Sequence, residues 1–209
     1  GQKWQQVSGG KVVLKLYAGG VAGDDADVVR KMRLGTLNAG LLATTGLADI
    51  DRSVLALQIP MLYADYDEAD WVADKMTPAL EAKFDAKGFV VLAWVDGGWA
   101  RFFTKTPART PEDLKSAKLF TWAGDDRYTE LWKGAGFNPI PLPATEISTA
   151  LQTGLVNAIC TTPQVAAVMQ WYNHAKNMTD VNWALLLGAV VIDKKVWDKI
   201  PADVRPAIM

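Results

Sequence analysis

Apolar runs of strand length alternate with helix-period segments along nearly the whole chain, and this limits the fold more than any single motif. Val12, Leu14 and Leu16 alternate with Val13, Lys15 and Tyr17, the period-two pattern of a strand. Leu37 to Leu42, Phe89 to Val95, Lys118 to Trp122, Leu155 to Cys160 and Trp183 to Ile192 read as further apolar strands. Helical patterns lie between them. One starts near Asp24, buries Val28, Val29 and Met32, and ends at Gly35. A long one, capped by Asp67, runs through Trp71, Val72, Met76, Leu80 and Phe84 to Gly88. Thr110-Pro111-Glu112-Asp113 opens another, with a Thr cap, an early Pro and acids over the positive helix end. Asp126 to Lys133, Thr145 to Thr153 and Pro163 to Lys176 complete the set, the last with Val165, Val168, Met169 and Tyr172 on one face. Such alternation implies parallel α/β layers.

Length and charge remove several partner classes. The chain has 209 residues, half of them hydrophobic, enough for one large or two small domains. Acids and bases nearly cancel, leaving a formal charge of −1. No basic run stands out, so no nucleic acid is expected as a partner. No apolar run approaches the roughly 20 residues of a membrane span. Cys160 is the only cysteine and cannot form an internal disulfide; with a single His174 as candidate base, it reads as a small buried filler.

The motifs of common chemistries are missing. There is no GxSxG elbow, no HExxH and no pair of cysteine ligands, so neither a catalytic residue nor a metal site is expected. Ala18-Gly19-Gly20-Val21-Ala22-Gly23 follows a strand and precedes a helix, as a dinucleotide loop does. Asp24 and Asp25 stand where phosphates would lie and would repel them. No cofactor is expected there. The bland alternative is a turn followed by helix caps.

Four ordered segments carry a family likeness. They are Arg101-Phe102-Phe103-Thr104, Thr110-Pro111-Glu112-Asp113-Leu114-Lys115, Lys118-Leu119-Phe120-Thr121-Trp122, and the run from Thr145-Glu146-Ile147 through Ala150-Leu151-Gln152-Thr153-Gly154 to Asn157. Together they resemble the extracytoplasmic solute receptors of tripartite ATP-independent periplasmic (TRAP) transporters, the DctP-type family. The resemblance implies an α/β fold of two lobes, a periplasmic binding protein clamshell. It implies lobe I from residues 1–97 plus 187–209, lobe II from residues 98–186, and a ligand cleft between them. Set against that family, the chain lacks the first strand and the C-terminal helices.

The resemblance also implies a role and a set of contacts. The role is periplasmic capture of a small-molecule solute for the membrane subunits of a TRAP transporter, without catalysis. A tetratricopeptide-repeat partner is a further implied possibility for apolar solutes. In the family, the position of Phe120 is typically an arginine that clamps a substrate carboxylate. An arginine fork holds a carboxylate with two charged hydrogen bonds, and phenylalanine has no donor. The solute is therefore expected to be apolar, to lack a carboxylate, or to carry a charge that only Arg101 meets. Arg101 matches a family arginine that often reaches the ligand; otherwise it is a surface arginine over an aromatic face. Asp25 either accepts a ligand donor or caps its helix, and both can hold. Trp94, Trp99, Phe120, Trp122 and Trp183 fall at strand ends or lobe crossings, where α/β sheets place ligand contacts. Trp71, Trp132 and Trp197 read as core. Thr44 and Thr45 after one strand, and Thr161 or Thr162 after another, offer hydroxyls to a polar solute edge. A ligand-sensing domain of a signalling system, or an enzyme on a two-lobe α/β scaffold, are the rival readings.

Overall fold

The computed structural model describes residues 1–209. Ten helices run in order: α1 (Gln2–Val7), α2 (Asp25–Arg33), α3 (Thr44–Leu47), α4 (Tyr66–Ala86), α5 (Pro111–Lys115), α6 (Asp126–Gly134), α7 (Ile147–Thr153), α8 (Pro163–Val168), α9 (Lys194–Trp197) and α10 (Arg205–Ile208). The strands are β1 (Ala39–Ala43), β2 (Phe89–Thr104), β3 (Lys118–Trp122), β4 (Asn138–Leu142), β5 (Ala158–Thr161), β6 (Asn177–Met178) and β7 (Ala184–Asp193). Short 3-10 turns cover Arg52–Gln58, Ala144–Glu146 and Trp171–Asn173.

The chain divides into two compact units. Unit 1 holds Gly1–Leu57, Ala64–Val95 and Leu187–Met209; unit 2 holds Gln58–Tyr63 and Asp96–Leu186. The 16-residue strand β2 and the 10-residue strand β7 each contribute residues to both units.

Unit 1 packs α2, α3 and α4 around β1 and its share of β7 and β2. Val29, Met32, Leu42, Leu47, Leu80, Phe84 and Val191 form its main core. β1 runs antiparallel to β7, with Ala39 opposite Ile192 and Ala43 opposite Gly188. Gly188 is required there: a Cβ would sit 2.5 Å from the Leu42 carbonyl oxygen. A second cluster gathers Leu92, Ile192, Trp197, Ile200, Val204 and Ile208.

Unit 2 is a sheet in the order β2-β5-β3-β4, with β6 also pairing β2. β3 is parallel to both β4 and β5, whereas β2 is antiparallel to β5 and β6. One face packs Phe103, Phe120, Ile147, Leu151, Ile159 and Trp171; the other packs Phe102, Leu119, Trp132 and Ala158. Trp132 meets Phe102, Tyr128 and Phe137 edge-on at 6.1, 5.7 and 4.6 Å between ring centroids. Each such aromatic pair contributes about 0.5–1.5 kcal/mol beyond area burial.

Most helix punctuation acts as its residues imply. Thr110 and Asp113 form a reciprocal capping box on α5. Gly154 adopts the left-handed φ of +74° that closes α7.

Five local expectations are corrected. The Val12–Tyr17 pattern forms no strand, because no neighbouring strand supplies its ladder; Val13, Leu16 and Tyr17 are exposed. The long helix is capped by Asp65, which accepts from Glu68 N, and not by Asp67. Trp71 is 64% exposed: two residues from buried Ala69, it points some 200° round the helix from the face that Leu80 and Phe84 bury. The expected helix to Lys176 stops at Val168, because Gln170 turns left-handed and lets Trp171 drop inward, where its Nε1 donates to Ser148 Oγ at 2.9 Å. Val168, Met169 and Tyr172 are exposed as a result. Lastly, the layers are mixed and not wholly parallel, since β2 enters unit 2 as one continuous strand with its direction already set.

Candidate functional site

In unit 1 the candidate residues gather where β1 meets α3. Asp25, the first residue of α2, turns its carboxylate towards this junction, and Oδ2 accepts from Ala43 N at 2.9 Å. Burial pushes the Asp25 carboxyl up from its ordinary value, and the Ala43 hydrogen bond partly offsets this. Gly46 lies against the same carboxylate so closely that no Cβ fits between them. Thr44 is fully enclosed, and its hydroxyl donates to the Leu187 carbonyl at 2.8 Å. Thr45 beside it is half-buried. Trp94 lies elsewhere in this unit: its Nε1 donates to Glu81 Oε1 at 2.8 Å and its ring leans on Phe84.

In unit 2 the candidates follow strand ends. Arg101 on β2 stands opposite Thr161 on β5. Its Nη1 donates to Asp180 Oδ1 at 2.6 Å and its Nη2 to Asn182 Oδ1 at 2.9 Å. Trp99, two residues earlier on β2, is half-buried. Phe120 is only 6% exposed and belongs to the core between the sheet and α7. Trp122, two residues on along the same face of β3, packs edge-on against it at 5.3 Å and keeps an exposed side. Thr162 is buried and caps α8 by accepting from Val165 N. Trp183 lies over Phe102 and Trp132, at 5.2 and 5.6 Å between centroids. Cys160 lies beside this cluster, and burial pushes its thiol up to about 12.

The residues thus fall into two local sets. Asp25, Thr44 and Thr45 come together in unit 1, apart from Trp94. In unit 2, Arg101 and Thr161 are cross-strand neighbours, and Phe120 and Trp122 form a ring pair. Asp180 and Asn182 escaped the sequence reading. Their only signal is that two polar residues two apart lie just before the apolar run that becomes β7. No three His, Cys, Asp or Glu side chains converge to hold a metal ion, and no helix is long and apolar enough to cross a membrane.

Two α/β units linked by long strands, with hydroxyl, carboxylate, guanidinium and indole groups at strand ends, define the two-lobe class of periplasmic binding proteins. Residues 1–209 match the DctP family, described as bacterial extracellular solute-binding protein, family 7, and the chain belongs to that family. It is 27% identical over 207 residues to the 2,3-diketo-L-gulonate-binding periplasmic protein of Escherichia coli K12, covering 98% of this chain and 63% of that protein's length. A TRAP periplasmic solute-binding protein from Xanthobacter autotrophicus Py2, solved with β-D-galacturonate, superposes with a TM-score of 0.91. The two are 25% identical, and the match covers 99% of this chain and 71% of the other. One from Pseudomonas putida F1, solved with D-glucuronate, gives 0.90 at 26% identity, covering 100% of this chain and 69% of the other.

Proposed function

We propose that the protein is an extracytoplasmic, periplasmic solute receptor that hands a small molecule to the membrane subunits of a TRAP transporter and performs no chemistry on it. Membership of the solute-binding family supports this reading, together with relatives named as periplasmic binding proteins. Taken unit by unit, the proposed contacts are Asp25 in unit 1, with Trp94 set aside because Glu81 and Phe84 engage it, and Trp99, Arg101, Trp122, Thr161 and Trp183 in unit 2. All keep some accessible surface, whereas Thr44, Phe120 and Thr162 are enclosed and act as supports. Indole faces supply apolar area, and a few polar groups fix orientation. A tetratricopeptide-repeat partner belongs to the same reading if the solute is strongly apolar.

The solute is apolar or a neutral polar molecule, and not a carboxylate. One observation carries this: an enclosed aromatic ring occupies position 120, so β3 offers no cation there. The relatives solved with galacturonate and glucuronate hold acids, which makes acids the natural challenge. Small molecules released from the purified chain are identified by mass spectrometry, and calorimetric titration compares β-D-galacturonate with neutral D-galactose. A neutral molecule released, and binding of galacturonate that is measurable but weaker than that of D-galactose, is the expected result. Release of a sugar acid or dicarboxylate overturns the assignment.

A further inference from the structure

The one accessible arginine of the unit 2 set is already occupied. Backbone bonds stitch the segment before β7 alongside β2: Thr179 N donates to Phe102 O at 2.9 Å, and Trp183 N to Ala100 O at 2.9 Å. Phe102 N donates in turn to Thr179 Oγ1 at 3.1 Å. These bonds fall on either side of Arg101 and hold residues 180–182 opposite it. The side chains of Asp180 and Asn182 then accept from the two prongs of the Arg101 fork. Burial is lopsided: the Arg101 side chain is 23% exposed, and that of Asp180 is 97% exposed. The arginine is built into the strand, and the carboxylate reaches it from solvent.

A guanidinium paired with a carboxylate carries no net charge, and the two prongs suited to a solute carboxylate are the ones in use. We propose that Asp180 is a specificity-determining residue, an internal carboxylate that occupies Arg101 and turns acidic solutes away. Neutral solutes lose little by it, because they carry no charge for the Asp180 carboxylate to repel. The pair works in the same direction as Phe120: one position carries no cation, and the other carries a cation already matched. Because exposed pairs are weak, this device discriminates by a modest factor and yields to a single substitution. The inference rests on the solute-receptor reading above.

The test uses Asp180→Asn, which keeps shape and an acceptor oxygen while removing the charge, and Asp180→Ala as a second variant. The Thr179 and Trp183 backbone bonds hold the segment in both. Each is titrated with β-D-galacturonate and with D-galactose, alone and in an Arg101→Ala background. Galacturonate affinity rises about fivefold in both variants, the scale of one exposed charge pair. The gain shrinks as salt screens the charge. It disappears without Arg101, and the Asp180 substitutions by themselves leave galactose binding unchanged. No gain, an equal gain for galactose, or a gain that survives Arg101→Ala each overturns the proposal. If the parent chain releases a neutral solute while Asp180→Asn leaves galacturonate unaffected, Asp180 is only a brace and the receptor reading stands. If nothing is released and no variant binds either probe, both fall.

Discussion

Asp25 shows how one side chain can serve structure and chemistry together. Its carboxylate is half-buried and accepts the Ala43 amide, and desolvation outweighs that bond in setting its protonation. A carboxyl whose folded pKa lies above its unfolded value stabilises the fold below the ordinary aspartate range. That contribution is lost as pH rises through the raised value. Asp25→Asn keeps an acceptor and removes the buried charge. Its melting temperature at neutral pH should therefore equal or exceed that of the parent, and the advantage should vanish as pH falls below the ordinary carboxylate range. A variant less stable at neutral pH would show that the ionised form is the better partner for Ala43. Cys160 gives a second test at this scale. With its thiol pushed up to about 12, almost no thiolate exists at neutral pH. Cys160 is only half-buried, so a disulfide thiol reagent should react more slowly with the native chain than in denaturant; equal rates would show that the raised thiol is not what limits it. Phe120 was readable from sequence as a missing donor, but its enclosure under α7 was not, because burial depends on which helix covers the strand face.

Some helix ends were legible, since caps act within a turn of chain, although the Asp65 cap and the stop at Val168 were not. The Thr110–Asp113 box and the Gly154 stop needed no tertiary contact to be recognised. Strands were legible only where a partner exists. Val12–Tyr17 has the right pattern and forms no strand, and β4 carries Pro139 and Pro141 yet forms one. Prolines at alternate positions put both missing donors on one side, which a strand at the sheet rim can spare. The β1–β7 pairing depends on close approach at one residue, Gly188. Gly188→Ala should force these strands apart and cost about 2–3 kcal/mol, in the range of overpacked cores. Denaturant unfolding would measure it; a loss below a few tenths of a kcal/mol would mean that the backbone yields freely there. The broken helix after Val168 was beyond local reading, because burial of Trp171 and its bond to Ser148 outweigh helix propensity.

For the molecule as a whole, a receptor gains stability from its guest by mass action. At a hundredfold excess over Kd, a solute that binds only the folded state adds about 2.7 kcal/mol. For a chain of this size that raises the melting temperature by about 5–10 °C. Differential scanning calorimetry with the molecule identified by mass spectrometry checks this, and an unmoved transition would mean that the molecule is a contaminant. The alternation of strands and helices, the helix caps, and the absence of a donor at position 120 are properties of the sequence, because period, capping and side-chain chemistry are local. The tertiary structure decided strand direction, the left-handed break at Gln170, and the pairing of Arg101 with Asp180 and Asn182, 79 and 81 residues away. Such choices turn on which distant backbone groups find each other, and no periodicity within a segment encodes that.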